Sequence, residues 1–247
     1  MLQRTSGSRE AMRLRKESRN ILVALGIFVL SIVLLSFSDG LIVAYYAHAF
    51  GLSLEESAIA STKVLVIVNE LLFAFLAIFS FTKIFKRTLN ELGMTVTRLL
   101  RNIAVGLVVG VGGWFAGSII AVVLARLVPY KVPEQFIRML TPTSSPDLVY
   151  FLILTWVLVG PCEELFFRGF IQGTFETWKG PAAGIIAGSI LFGLAHFDPI
   201  LWFRTIPAGF LGLIYGVLYA RRKSIVPVAV AHSLNDTIGF VLAFLVR

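Results

Sequence analysis

Seven apolar runs, at residues 21–48, 58–82, 102–127, 147–175, 181–197, 201–220 and 224–246, take up most of the 247-residue chain. Each is close to, or above, the roughly 20 apolar residues an α-helix needs to cross a hydrocarbon layer. Inside lipid every backbone N–H and C=O must find its partner within the chain, so a run of this kind forms a helix. The sequence therefore predicts an all-α polytopic transmembrane bundle of about seven or eight spanning helices, the eighth arising if the first run breaks at Ser38-Asp39-Gly40. Composition agrees: 57% of residues are hydrophobic and 15% charged, against about 25% charged in an ordinary soluble domain.

One transmembrane domain over 21–247 is expected, preceded by a basic cytoplasmic segment, 1–20, that carries Arg4, Arg9, Arg13, Arg15, Lys16 and Arg19. The first run lacks a small-x-small cleavage site before Ser38, which favours a retained helix over a removed signal. With seven crossings, the N-terminus, the joint holding Lys83, Lys86, Arg87, Arg98 and Arg101, and the cluster Arg221-Arg222-Lys223 all fall on one side. Short joints rich in Lys and Arg stay in the cytoplasm, so this is a multi-pass protein, expected in the cell membrane with its N-terminus inside. The opposite joint, 126–146, still carries Arg126, Lys131 and Arg138 against Glu134. The formal charge of +8 follows from these joints and leaves no soluble module for nucleic acid to bind. The single cysteine, Cys162, excludes an internal disulfide and reads as a small buried residue.

Small-xxx-small spacings in the third run, Gly106 to Gly110 and Gly113 to Gly117, predict close helix packing. Residues 84–100 mix Leu89, Leu92, Met94 and Val96 with charges, which suits either an interfacial helix and turn or an ordinary loop. The stretch from Pro129 to Pro146 has the composition of a loop. His48, among Tyr45, Tyr46 and Phe50, reads as part of an interfacial aromatic belt. Asn69 and Glu70, with Lys63 two turns earlier, suit a packing group or a cavity wall.

A charge at a bilayer centre costs about 2.5–3.5 kcal/mol even on a lenient scale, so one that is kept there has a purpose. The fourth run contains Gly160-Pro161-Cys162-Glu163-Glu164-Leu165-Phe166-Phe167-Arg168-Gly169. Glu164 and Arg168 are four apart and share a helix face, where they neutralise each other. Glu163, about 100° away around the helix, has no cation at helical spacing and is the better candidate for a working base. The fifth run ends in Phe192-Gly193-Leu194-Ala195-His196 and the seventh holds His232-Ser233-Leu234-Asn235-Asp236. A carboxylate and two imidazoles on three helices are the parts needed to activate water and to stabilise an oxyanion. Asp236, one turn beyond His232, shares its face, and Asn235 is slightly rotated.

These residues resemble the CAAX-processing and bacteriocin-processing membrane peptidases, the CPBP or Abi family, which includes the type II CAAX prenyl endopeptidases. Three motifs match in order: Glu-Glu-x-x-x-Arg at Glu163, Glu164 and Arg168; Phe-x-x-x-His at Phe192 and His196; and His-x-x-x-Asn/Asp at His232 and Asp236. The resemblance implies a helical bundle with an intramembrane catalytic cavity, in which Glu163 and His196 activate water for peptide hydrolysis. It further implies that His232 with Asn235 or Asp236 holds the carbonyl oxygen of the intermediate, and that Glu164, Arg168 and Phe192 support the site. The last position is usually Asn in the family. An ionised Asp cannot donate a hydrogen bond, so either Asn235 donates, Asp236 carries a proton, or Asp236 orients His232.

No cofactor is the preferred reading; the alternative is zinc held by Glu163, His196, His232 and Asp236, although the His-Glu-x-x-His helix that marks a zinc peptidase is missing. The expected activity is therefore endoproteolysis of a peptide or lipidated protein at the membrane, with CAAX-type processing of prenylated proteins as one branch. A proton-coupled transporter and a non-catalytic scaffold or immunity protein of the same fold are the alternatives. Buried Glu, Arg and His residues also build proton relays, but the halves show no inverted repeat.

Overall fold

The structure, a computed structural model, describes residues 2–128, 132–199 and 201–246. Pro129, Tyr130 and Lys131, the side chains of Arg4 and Arg9, and Arg247 lie outside the described residues. Among those described there is no strand. Helix α1 spans Leu2–Phe50, α2 Leu54–Phe79, α3 Leu99–Leu127 and α4 Glu134–Leu140. Then come α5 (145–178), α6 (181–195), α7 (Thr205–Arg222) and α8 (Ile225–Leu245). Helix α1 runs unbroken through Ser38-Asp39-Gly40, so no extra crossing forms there. The short α4 gives the predicted loop between Pro129 and Pro146 a helical turn of its own. His48 lies in the last turn of α1, where Tyr46 packs against Tyr45 and Phe50.

Six stretches are long and apolar enough to cross a membrane, and the longest is Ser145–Ala195, of 51 residues. A straight helix of that length would extend about 75 Å, more than twice the hydrocarbon thickness. It does not stay straight. Lys179 and Gly180 leave helical geometry, with φ +82° at Gly180, a conformation that glycine adopts without a Cβ clash. The chain turns back at this point: a Cβ at Gly184 would lie 2.7 Å from the Gln172 carbonyl, and one at Gly188 would lie 3.3 Å from that of Phe167. Helices α5 and α6 are thus an antiparallel pair, matching the separate fourth and fifth runs of the sequence.

Starts are set by local chemistry. Ser53 and Glu56 close a capping box at α2, with the Ser53 Oγ accepting from the Glu56 N–H at 3.2 Å and the Glu56 carboxylate accepting from the Ser53 N–H at 2.9 Å. Ser144 caps α5 and Ser224 caps α8 by accepting from backbone N–H groups. Residues 84–98 form turns rather than a helix. Leu92 is fully buried there, the Gly93 carbonyl accepts from the Ile225 N–H at 2.9 Å, and the Ser224 hydroxyl donates to the Thr95 carbonyl at 3.1 Å. Lys223 pairs with Glu176 at the same end. The joints 84–98, 176–180 and 223–225 therefore make up one end of the bundle, the basic end.

Between helices in lipid, close backbone approach replaces the hydrophobic drive available in water. Gly106 and Gly110 of α3 supply that approach to α8: a Cβ at Gly106 would sit 2.6 Å from the Pro227 carbonyl, and one at Gly110 2.8 Å from that of Ala231. Gly113 and Gly117 instead receive Leu211 of α7, and Gly112 faces open space. Because Ala231 precedes His232, Gly110→Val should displace α8 at the site and lower stability by about 1–3 kcal/mol, the usual cost of overpacking. Gly112→Ala should be neutral or slightly stabilising. Thermal unfolding of the purified variants checks both, and equal melting temperatures for Gly110→Val and wild type would contradict this packing.

Candidate active site

Helix α5 reaches the site in a distorted form. Pro161 has no N–H to donate, and its ring crowds the carbonyl one turn earlier. The turns on either side widen to π-helix, at Thr155–Val159 and Leu165–Gln172, leaving Gly160–Glu164 as a single α-helical turn between them. Helix α8 is fastened to the first π segment. The Ser233 hydroxyl donates to the Thr155 carbonyl at 3.0 Å, and the Trp156 indole donates to the Thr237 hydroxyl at 2.9 Å. These contacts, one before and one after Asn235 and Asp236, set the height of His232 against Glu164.

The Glu164 carboxylate is fully buried and bridges two partners. Its Oε2 accepts from Arg168 Nε at 2.8 Å, and its Oε1 lies 2.9 Å from His232 Nδ1. A carboxylate only accepts, so His232 carries a proton on Nδ1 and turns Nε2 toward the cavity. That Nε2 is 3.5 Å from Asp236 Oδ2 and 4.0 Å from Glu163 Oε2. The Asn235 amide donates to Asp236 Oδ1 at 3.2 Å. Five of the predicted residues on α5 and α8, Glu163, Glu164, Arg168, His232 and Asp236, with Asn235 beside them, therefore form one connected group. The i to i+4 pairing of Glu164 with Arg168 is present as expected, and the contact from Glu164 to His232 adds to it.

Phe192 holds the remaining parts together. Its ring lies 4.6 Å from the His196 ring, meets that of His232 edge-on at 5.8 Å, and carries the Arg168 guanidinium over its face at 4.8 Å. Tyr215 stacks on the other side of His232 at 5.6 Å. His196 donates from Nδ1 to the Phe192 carbonyl at 2.9 Å, which leaves Nε2 with its lone pair free to accept a proton. Toward the basic end Phe166, Phe167 and Phe170, all fully buried, pack against Phe28, Phe73 and Phe85 and close the site. Such ring pairs each contribute about 0.5–1.5 kcal/mol beyond burial.

Away from that aromatic floor the site is open. A cavity of about 560 Å³ is lined by Glu163 and His196, by Asp39 of α1, by Asn69 and Glu70 of α2, and by Arg204. Glu163 and His196 thus share one chamber, as predicted. A second cavity, of about 440 Å³, is lined by Asn235 and Asp236 and by α4, and Arg204 lines both. Residues 194–199 and Arg204, at the end opposite the basic joints, wall the first chamber. Glu70 is 5% exposed and lines the same chamber as Glu163. The Asn69 amide donates to Asp39 at 3.5 Å. Lys63 pairs with Asp147 on α5, not with Glu70.

Among the described residues, no three His, Cys, Asp or Glu side chains converge at metal-binding spacing. Nδ1 of His196 and Nδ1 of His232 are held by a carbonyl and a carboxylate, so Nε2 of each, with Glu163 and Asp236, would be the ligating atoms if zinc bound. No step is derived through a metal.

Residues 145–238 match the family model described as type II CAAX prenyl endopeptidase Rce1-like. This part of the chain is similar to that family. The matched segment carries Glu163, Glu164, Arg168, Phe192, His196, His232, Asn235 and Asp236, and the Rce1-like family is generally one of proteases. No curated protein and no solved structure matches the chain. Helices α1 to α3, with Asp39, Asn69 and Glu70, lie outside the Rce1-like segment. Sequence reasoning left those three residues unassigned, although a carboxylate in mid-span, the signal that singled out Glu163, marks Glu70 as well.

Removing one partner of a buried ion pair leaves an uncompensated charge and costs about 3–5 kcal/mol. Arg168→Ala should therefore lower stability by that much. The double variant Arg168→Met with Glu164→Gln should recover part of the loss by taking out both charges. Thermal unfolding in detergent reads both, and an Arg168→Ala protein that melts with the wild type would refute the pairing.

Proposed function

We propose that this protein is an intramembrane endopeptidase in which Glu163 and His196 activate water and His232 and Asn235 stabilise the oxyanion. The observation that carries this reading is the shared cavity of Glu163 and His196, in which Glu163 Oε2 has no hydrogen-bond partner among the described residues and His196 Nδ1 is held by the Phe192 carbonyl. A peptide bond entering the cavity places its carbonyl carbon near a water held by these two groups. The water oxygen bonds to that carbon, its proton passes to Glu163, and the carbonyl π pair moves to oxygen. His232 is an imidazolium between Glu164 and Asp236, and its Nε2–H and the Asn235 amide, both resting on Asp236, are the donors that turn to the developing oxyanion. The proton on Glu163 then goes to the amide nitrogen as the C–N bond breaks. Asp236 orients both donors, and Glu164 with Arg168 fixes His232.

General-base catalysis supplies about 10²–10⁴-fold, and one oxyanion donor about 10²–10³-fold. Incubation of the full-length protein in lipid nanodiscs with a mixed-sequence library of internally quenched peptides, with and without farnesylated C-termini, tests the reading. Wild type should cleave a subset of them. Glu163→Gln and His196→Ala should lose at least about 10²-fold of that activity while keeping their helical circular dichroism, and exhaustive chelation should leave wild-type activity intact. Full activity in either variant contradicts these catalytic roles, and loss on chelation with rescue by zinc contradicts the metal-free route.

The same reading gives the membrane sidedness. Basic joints stay in the cytoplasm, and they lie at the end closed by the aromatic floor. Residues 194–199 and Arg204, which wall the cavity, lie at the other end. The substrate is then a peptide that reaches the site from the non-cytoplasmic face or from the lipid beside it, in preference to a cytoplasmic prenylated tail. In a Cys162→Ala background, Glu55→Cys should react with a membrane-impermeant maleimide on intact cells, and Lys179→Cys only after permeabilisation. The reverse pattern would invert the orientation.

A further inference from the structure

Glu70 sits on α2, outside the matched segment and outside the three motifs. It is 5% exposed, lines the chamber that holds Glu163 and His196, and has one carboxyl oxygen, Oε2, without a donor. Its charged neighbours, Glu163 and Asp236, are both acidic. Glu163 differs, since His232 Nε2 stands 4.0 Å from its Oε2. Glu70 and Glu163 line one chamber, each with a buried Oε2 that has no donor among the described residues, and since carboxylates have no proton to donate, a hydrogen bond between the two requires one proton. Two bare carboxylate charges facing one another in this buried chamber would repel strongly.

We propose that Glu70 holds that proton and donates it in a hydrogen bond to Glu163, fixing which oxygen of Glu163 faces the attacking water. The negative charge then rests on Glu163, beside His232, and Glu70 stays neutral among acidic neighbours. Glu70 touches neither water nor peptide; it is a positioning residue acting through Glu163. The Asn69 to Asp39 hydrogen bond ties α2 to α1 one residue away and keeps Glu70 turned into the chamber. This inference rests on Glu163 being the base, and one of its two readouts is independent of peptide cleavage.

Infrared spectra of the full-length protein in nanodiscs at neutral pH read the proton itself. The carboxylic-acid carbonyl band of wild type should vanish in Glu70→Gln and persist, shifted, in Glu163→Gln. A band that survives Glu70→Gln and disappears in Glu163→Gln, or a wild type without one, overturns the proposal whether or not any peptide is cleaved. On the library peptides that wild type cleaves, Glu70→Ala should lower kcat by about 10- to 100-fold, the scale of a misplaced catalytic group, with KM within about twofold. Glu70→Gln, whose amide N–H still donates, should restore kcat to within about threefold of wild type. Glu70→Ala at wild-type kcat, or both variants equally inactive while folded, would overturn it as well.

Discussion

The site depends on one buried carboxylate. Glu164 has no exposed surface, and its two oxygens join Arg168 on its own helix to His232 on α8. An ionised group in that position is stable only if both oxygens are met and a full positive charge lies alongside. Arg168 supplies the charge and is itself covered by the Phe192 face. The link from α5 to α8 then fixes the orientation of the His232 ring, and through Nε2 the relation of His232 to Asp236 and Glu163. Asn235, by donating to Asp236, is placed by the same chain of contacts.

The rest of the bundle brings these helices into reach. Glycines at 106 and 110 let α3 press against the backbone of α8, and the reversal at Gly180 lays α6 along α5, so that Phe192 and His196 arrive over Arg168. The π-helical turns around Pro161 have a functional consequence. Each adds a residue to the turn and rotates the helix beyond it, so that Glu163 faces the chamber while Glu164 faces inward. Such π segments recur at functional sites because they trade backbone regularity for side-chain placement.

The spans, the closeness of α3 to its neighbours, and the pairs Glu164 with Arg168 and His232 with Asp236 were legible in the sequence, because each follows from length or from i to i+4 spacing on one helix. The contacts that escaped require a register between helices. No periodicity places Glu164 beside His232, 68 residues away, or Glu70 beside Glu163, because the rotation of one helix against another is decided by packing. Face counting also fails across a π turn, where the 3.6-residue period slips. Residues 84–100 were ambiguous for a different reason: their order comes from Leu92 and from hydrogen bonds to the α7–α8 joint, not from local propensity.

The central claim is that a peptide carbonyl is attacked between Glu163 and His196 and its oxygen is received by His232 and Asn235. An experimental structure with a phosphinic peptide, which carries the tetrahedral geometry of the intermediate, tests this most directly. One phosphinyl oxygen should lie within hydrogen-bonding distance of His232 Nε2 or the Asn235 amide, and the other beside Glu163 and His196. A phosphinate seated elsewhere in the cavity, or bound to a metal ion held by Glu163 and His196, would contradict the account.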